Sequence, residues 1–188
     1  MHRILVSFAA LVLGACASSV QPTAGSVPIE GLGVHVDTPA GWYRLAGAPN
    51  GSIVLTKNGI NIESITVSRF PLGQKLPNSP KRFVDGMSPD AAADVDISNH
   101  EFASGIEGFE VLDRGTAVID GHDCYQYSYT YLESFGQPRK VKNYGCIVAP
   151  YVYRFHYVAP AEKWFPEFLP TFDALVRSAR IAPAVTPD

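Results

Sequence analysis

The amino-acid sequence predicts one α+β domain in which a sheet of strands is packed against helices. Three observations support this prediction. Apolar and polar residues alternate mostly with period two from Val34 onward, which is typical of strands. Turn residues separate these runs, and only two segments carry helical signals. The length of 188 residues suits one medium-sized domain with a short appendage.

Two short strands are predicted first, at residues 33–37 and 42–45, with a Thr-Pro-Ala-Gly turn between them. The strongest local prediction is the hairpin that follows. Residues 52–57 and 60–70 are rich in strand formers, and the Asn-Gly pair between them favours a type I′ turn, because both turn residues take positive φ.

This turn places Leu55 opposite Ile62 on one face of the hairpin. The apolar phase then changes, since Ile65 and Val67 have the opposite parity. Either a bulge lies near Glu63, or both faces of the sheet are covered. The second alternative fits a sheet with helices packed against it.

The first predicted helix begins at Ser88, an N-cap residue that is followed by Pro89 in the first turn. Ala91, Val95 and Phe102 are expected to form its buried side. Because several poor helix formers follow, we expect a short helix.

The second predicted helix begins near Trp164 and lies close to the C-terminus. Its apolar stripe consists of Trp164, Phe168, Phe172 and Leu175, which recur at helical spacing. Pro170 is expected to kink it.

Four further strands are predicted between the two helices, joined by turn residues at 120–122 and by a loop at 134–139. Their predicted bounds are residues 110–119, 124–132, 141–149 and 151–158.

Several positions of this layout carry a family resemblance: Pro39-Ala40-Gly41-Trp42, Asp120-Gly121, Tyr153-Arg154-Phe155, Ala159-Pro160 and the last part of the final helix at 172–181. With them, the layout resembles the PsbP-like superfamily, which includes the photosystem II extrinsic protein, a eukaryotic Ran-binding factor and bacterial DcrB-type lipoproteins. The resemblance covers residues 28–182 and implies an antiparallel sheet of about six to eight strands in an α/β/α sandwich. It also implies a non-enzymatic accessory or binding role, and no set of functional residues carries over.

The N-terminus predicts a lipoprotein signal peptide. Arg3 precedes an apolar stretch at 4–13 that would span about 15 Å as a helix, half of a hydrocarbon core. The sequence Leu-Gly-Ala-Cys at 13–16 resembles the lipobox of bacterial lipoproteins, in which the cysteine is acylated and becomes the first mature residue. The alternative is an ordinary signal peptide cut elsewhere, with Cys16 incidental.

The predicted organisation follows from this segment: a signal peptide at 1–15, lipidated Cys16 with a flexible tether at 16–29, the domain at 30–182 and a tail at 183–188. Ala17, where Asp would retain the protein in the inner membrane, predicts the outer membrane, facing the periplasm. The net charge of −3 favours neither nucleic acid nor an anionic lipid surface. Fatty acyl chains such as palmitate on Cys16 are therefore the expected membrane attachment.

Two cysteines of the predicted domain, Cys124 and Cys146, would lie in an oxidising compartment. If the hairpin turns about Phe135, they fall directly opposite each other, within disulfide range. A bridge would close a loop of about twenty residues and contribute about 3 kcal/mol. Two buried free thiols are the alternative, and without a Cys-x-x-Cys pair no redox role is expected.

Tyrosines are concentrated on the later strands. Tyr125, Tyr127, Tyr129 and Tyr131 share one strand face. One interpretation is an aromatic platform that binds a sugar, a peptidoglycan strand or a partner protein. The other, which is the usual role of aromatic ladders, is cross-strand packing beneath a helix with the hydroxyls at the rim.

Neither a catalytic nor a metal site is predicted, and no cofactor is expected. The histidines show no metal-ligand spacing, and no nucleophile or nucleotide-binding motif occurs. Acidic pairs are interpreted as solvated surface. The histidines outside the predicted signal peptide are His35, His100, His122 and His156. The acidic pairs are Asp94/Asp96 and Glu107/Glu110.

Three functions stay open. The leading expectation is a non-enzymatic, lipid-anchored cell-envelope protein that serves an envelope protein assembly as a binding or accessory module. The alternative is a lipoprotein that binds a small ligand or glycan through the tyrosine face, and the third is an enzyme. A concave pocket with convergent polar groups would favour ligand binding, whereas an exposed apolar patch would favour a protein partner.

Overall fold

The structure is a computed structural model that describes residues 20–23, 25–29, 31–49, 51–133 and 135–182. The predicted signal peptide, Cys16 and the tail at 183–188 lie outside these residues. The elements in chain order are β1 (Val20–Pro22), β2 (Gly25–Ile29), β3 (Val34–Thr38), β4 (Tyr43–Leu45), β5 (Ser52–Thr56), β6 (Ser64–Pro71), α1 (Pro89–Glu101), β7 (Glu107–Ile119), β8 (His122–Leu132), β9 (Pro138–Val148), β10 (Tyr151–Pro160), α2 (Trp164–Ser178) and β11 (Arg180–Ile181).

A large antiparallel sheet forms the centre of the domain. Its eight strands follow the order β1-β4-β5-β6-β10-β9-β8-β7. A smaller antiparallel sheet has the order β11-β3-β2. The predicted sheet of six to eight antiparallel strands is confirmed.

The two helices cover opposite faces of the large sheet. Helix α1 packs on β7, β8 and β9, on the side that we name the α1 face. Helix α2 packs on β10, on the opposite side, which we name the α2 face, and also contacts β3 of the smaller sheet. Each helix has its own buried apolar cluster. This arrangement confirms the predicted α/β/α sandwich.

Strand β10 shows how one sequence serves both clusters. Successive side chains of a strand point to opposite faces. Tyr153, Phe155 and Tyr157 are buried in the cluster beneath α2, whereas Val152 lies in the cluster beneath α1. Arg154 shares the parity of Val152 and therefore also lies on the α1 face.

The hairpin of β5 and β6 exists, but its predicted two-residue turn is wrong. Leu55 pairs with Ile65, not with Ile62, and residues 57–63 form a longer loop. In the observed register the buried apolar residues of both strands share one face. The change of apolar phase is therefore a consequence of the longer loop and not of a bulge.

Glu63 explains why the loop is longer. Its side chain is fully buried, and Oε1 accepts hydrogen bonds from the backbone N–H groups of Lys57 at 2.8 Å and Asn58 at 2.6 Å. The hydroxyl of Thr56 donates to the same oxygen at 3.3 Å. A carboxylate that accepts backbone donors replaces the ladder hydrogen bonds that a tight turn would have formed.

A turn of the primed type occurs instead between β7 and β8. Ile119 pairs with His122, so that only Asp120 and Gly121 connect the strands. Their φ angles are 50° and 79°, the left-handed conformation that this turn requires.

The predicted flexible tether at 16–29 is wrong where the structure describes it. Residues 20–22 pair with β4, and residues 25–29 pair with β3. Thr23, between them, is buried, and its N–H and hydroxyl both donate to the carbonyl oxygen of Trp42, at 3.0 and 2.8 Å. The backbone of this segment pairs with β4 and β3, whose edges would otherwise be open. The composition of the segment does not predict this pairing.

Helix α1 begins as predicted, since the Ser88 hydroxyl accepts a hydrogen bond from the N–H of Ala91 at 3.3 Å. It is 13 residues long, more than the short helix expected, and Phe102 beyond its end is 65% exposed. Its buried side is partly polar because Asp96, Ser98 and Asn99 are buried against the rest of the protein. For this reason, the pattern of apolar residues underestimated the length of the helix.

Helix α2 has the predicted apolar stripe, with Phe168, Phe172 and Leu175 buried. Phe165 is buried in addition, while Trp164 is half-buried. Within the described part of the chain, neither helix has the length and apolarity needed to cross a bilayer.

Candidate functional site

The tyrosine ladder of β8 lies beneath α1. Tyr125, Tyr127 and Tyr129 are at most 1% exposed, and their neighbouring ring centroids are 6.1 and 6.0 Å apart. Only Tyr131, at the end of the ladder, is partly exposed. These side chains therefore do not form the open binding platform that was one interpretation of the sequence. The helix covers them, as in the alternative interpretation.

A glycine makes this packing possible. The ring of Tyr125 lies across β9 at Gly145, its partner in the strand register, and a Cβ atom at that position would overlap the ring. Gly145 therefore permits the large ring to lie flat on the sheet below α1.

The tyrosine hydroxyls point inward, not to the rim as expected. Tyr125 and Tyr127 both donate hydrogen bonds to Oδ2 of Asp96, at 3.0 and 2.9 Å. The hydroxyl of Tyr129 lies 3.1 Å from Nδ1 of His100. The ladder therefore positions two residues of α1.

Asp96 is the centre of this network, and its predicted place on the solvated surface is wrong. Its side chain is completely buried, and Oδ1 accepts a hydrogen bond from Nη1 of Arg154 at 3.0 Å. Burial alone would raise the pKa of Asp96. Attraction to Arg154 and His100, together with the hydrogen bond from Tyr127, outweighs burial and lowers it. The remaining predicted surface acids, Asp94, Glu107 and Glu110, are exposed.

Two histidines that the sequence left unrelated meet beside this pair. The rings of His100 and His156 stack with centroids 5.4 Å apart, and Nδ1 of His156 lies 2.8 Å from Oδ1 of Asn143. Burial lowers the pKa of His100 to about 4 and also lowers that of His156. Both rings are therefore neutral at pH 7.

The chemistry of this network is that of a closed, neutral cluster. The negative charge of Asp96 balances that of Arg154, and both carboxylate oxygens already have partners. Among the residues that the structure describes, no group of three His, Cys, Asp or Glu side chains could hold a metal ion. The cluster is therefore suited to positioning α1 and Arg154.

Sequence reasoning missed this cluster although two local signals were present. Asp96 and His100 are separated by one helical turn, and Arg154 and His156 share one strand face. Neither pattern shows that the helix and the strand meet, because that contact depends on the tertiary fold.

The two cysteines lie on the α2 face. Cys124 pairs with Cys146 in the strand register, as the turn about Phe135 predicted, and the Cα atoms are 4.3 Å apart. Their sulfur atoms form a disulfide bond, and both residues are at most 1% exposed.

A cleft of about 540 Å³ opens beside the buried network. We name it the Arg154 cleft. Its floor is the α1 face of β5, β6 and β10, beyond the end of α1, and the segment 74–77 forms one wall. The side chains that line the cleft include Val54, Thr66, Ser68, Phe70, Lys75, Leu76, Asn99 and Arg154.

The outer edge of β7 is the second notable surface. This strand is the last of the large sheet, and no strand of the described chain pairs with its outer side. Its first half contains two irregularities, whereas Asp113–Ile119 pairs regularly with β8. Val111, Leu112 and Val118 on this strand are exposed, and Val118 is 71% exposed.

No protein-family model and no curated protein matches the sequence. Similarity to solved structures is nevertheless extensive. The cyanobacterial PsbP (CyanoP) from Synechocystis sp. PCC 6803 superimposes with a TM-score of 0.61 and 19% identity, covering 89% of this chain and 95% of that chain.

Two further structures have similar scores. The Ran-binding protein Mog1p of Saccharomyces cerevisiae gives a TM-score of 0.59 with 13% identity, covering 87% of this chain and 97% of its own. LpqN of Mycobacterium tuberculosis, described as involved in cell envelope biogenesis, gives 0.58 with 17% identity, covering 87% and 92%. Over nearly the whole length of these proteins, the chain therefore has the PsbP-like fold.

Proposed function

We propose that this protein is a bacterial envelope lipoprotein of the DcrB type, anchored through acylated Cys16, whose domain is a non-enzymatic binding or accessory module for an envelope protein assembly. The observation that carries protein binding is the open edge of β7 with its exposed apolar side chains.

An open edge strand presents unpaired backbone donors and acceptors that another extended chain can join. Proteins usually protect such edges with charge, proline or bulges. The first half of β7 has two register shifts, but the stretch Asp113–Ile119 pairs regularly with β8 and includes the exposed Val118. The partner that fits this edge is an extended segment of another envelope protein, which would pair as an additional antiparallel strand.

Two lines support the envelope setting. The lipobox at residues 13–16 predicts export and acylation. LpqN, which shares the fold, is described as involved in cell envelope biogenesis. Mog1p, which also shares the fold, is described as a Ran-binding protein, and this description is consistent with a module that acts by binding.

Crosslinking in intact envelopes tests the edge. A photoreactive amino acid at position 118 should capture a discrete partner, and Val118→Lys should abolish capture from a probe at Thr116, because a charge protects an edge strand. Ile60→Lys is the matched control, since Ile60 is 51% exposed on the loop between β5 and β6. Capture of a second copy of this chain, or equal loss with both lysine variants, would contradict the proposal.

The lipid anchor has a separate test. Cys16→Ser, or treatment with globomycin, should accumulate the unprocessed precursor and release no lipid-modified form. Density fractionation of the envelope should place the modified protein with the outer membrane. Normal processing of the Cys16→Ser chain would exclude the lipobox.

A further inference from the structure

We infer that the Arg154 cleft binds a small organic carboxylate with an apolar body. This site is separate from the β7 edge and does not depend on it. The cleft has the volume of a small-molecule site, at about 540 Å³, and combines apolar walls with a few convergent polar groups.

The polar end of the cleft is lined by two basic side chains. Arg154 lies at the floor and Lys75 lies at the exposed rim, while none of the described lining residues is acidic. Arg69 also borders the cleft, but its guanidinium stacks on Tyr151 at 4.0 Å, on the α2 face. The cleft therefore favours an anionic ligand, although the net charge of the whole protein is negative.

The side chain of Arg154 is positioned before such a ligand binds. Nη1 binds Asp96, so the side chain is fixed before any ligand arrives. Its Nη2 donates to no described residue, and the Arg154 side chain, which lines the cleft, is 20% exposed. A planar guanidinium can donate to carboxylates on two sides at once, and a preorganised donor loses little entropy on binding.

A second polar group points to the same place. Ser68 pairs with Arg154 in the strand register, and its hydroxyl is buried without a hydrogen-bond partner among the described residues. Buried hydroxyls usually have a partner. A carboxylate that accepts from Arg154 could also accept from Ser68.

The remaining walls define the body of the ligand. Val54, Phe70 and Leu76 supply apolar surface beside the cationic floor. Phe70 packs against Phe83 with ring centroids 5.5 Å apart and is therefore fixed. A short alkyl or aromatic group next to the carboxylate would bury this apolar surface, whereas inorganic phosphate would leave the surface exposed to water.

Titration of the purified full-length protein, followed by backbone amide NMR shifts, tests this inference. Benzoate and hexanoate should bind with a Kd in roughly the millimolar range and shift the resonances of Ser68, Lys75 and Asn99. The neutral isosteres benzamide and hexanamide should bind at least about tenfold more weakly, because they lack the charge-assisted hydrogen bonds.

Variants locate the site. Ser68→Val should weaken benzoate binding about tenfold without unfolding the chain, because the hydroxyl that it removes has no protein partner. Lys75→Ala should weaken it about threefold, and added salt should reduce that difference. Lys81→Ala, on the same connecting segment but outside the cleft, should have no effect.

Four results would overturn the inference: shifts confined to another surface, equal binding of amide and acid, equal effects of Lys75→Ala and Lys81→Ala, or phosphate binding as tight as benzoate. Failure of both carboxylates to shift any resonance would overturn it as well. None of these results bears on the β7 edge.

Discussion

The two faces of the large sheet are both covered by a helix, but by different chemistry. On the α2 face, Phe165 and Phe172 pack on Tyr157 of β10, and Phe168 packs on Trp42. Helix α2 has a clear apolar stripe. On the α1 face, the helix places Asp96 against Arg154 and over the hydroxyls of the tyrosine ladder. One helix docks mainly by burying apolar area, and the other docks by satisfying a buried charge.

This difference shows that two helices that are both buried against a sheet need not be positioned on it with equal specificity. Apolar surfaces can slide with a modest change in free energy, because the hydrophobic effect has no direction. A buried ion pair tolerates little displacement, since an unpaired charge in the interior costs several kcal/mol. The position of α1 along β8 and β10 is therefore set by Asp96, while α2 is held by the shape of its rings.

The largest expected effect comes from breaking the charged pair. Asp96→Ala should lower the free energy of unfolding by about 3–5 kcal/mol, because it leaves Arg154 buried without its partner. Asp94→Ala is the matched control in the same helix, since Asp94 is 57% exposed and pairs with Arg114 on the surface. It should cost at most about 1 kcal/mol. Urea unfolding measures both, and similar losses would contradict the contrast.

Acid should weaken the α1 face before the α2 face. The groups facing His100 are Asp96 on its own helix, Tyr129 on β8, and Arg154 and His156 on β10. The pKa of His100 is lowered from 6.5 to about 4. Between these values the unfolded chain binds a proton that the folded chain does not, so stability falls as pH falls from 6.5 to 4.

The size of this loss is up to about 3 kcal/mol for His100, and His156 changes stability in the same direction. Hydrogen exchange as a function of pH should show the amides of α1 losing protection first. His100→Gln should flatten the pH dependence of unfolding in this window. An unchanged slope in that variant would show that His100 is not responsible.

The α2 face should depend instead on its covalent link. Removing the Cys124–Cys146 disulfide with Cys124→Ala/Cys146→Ala should lower the free energy of unfolding by about 3 kcal/mol, since the bridge closes a loop with a sequence separation of 22. The loss should be the same at pH 7 and pH 5, because no histidine titration is involved. A strongly pH-dependent loss would link the two faces and weaken the comparison.

The smallest effect is expected at the start of α1. Ser88→Ala should cost about 1 kcal/mol, because it removes the hydroxyl that accepts from the N–H of Ala91. Helix α2 has no side-chain cap at Lys163, so Lys163→Ala should change stability by less than about 0.5 kcal/mol. Thermal unfolding compares the two variants. An equal or larger loss of stability in Lys163→Ala would refute the assignment of Ser88 as the stabilising helix cap.

Several features were predictable because they depend on neighbours in the sequence. The cap at Ser88, the stripe of Phe168, Phe172 and Leu175, and the order of the later strands follow from local patterns. The opposition of Cys124 and Cys146 was also predictable, because a single hairpin fixes it. Short-range geometry is sufficient in each case.

Other features could not be predicted in this way. The loop at 57–63 depends on Glu63 turning back into the core, and the pairing of residues 20–29 depends on strand edges formed far along the chain. Arg154 had no apparent role in the sequence, and the floor of its cleft joins strands that are some 80 residues apart.

By itself, the sequence determined the alternation of the strands, the start of each helix and the opposition of the two cysteines, because these depend on periods of two and 3.6 residues, on helix caps and on one turn. Only the tertiary structure decided that Asp96 is buried, that His100 meets His156, and that Arg154 faces a cleft. The reason is physical: the charge state and accessibility of a side chain depend on what packs against it, and that partner lies on another element.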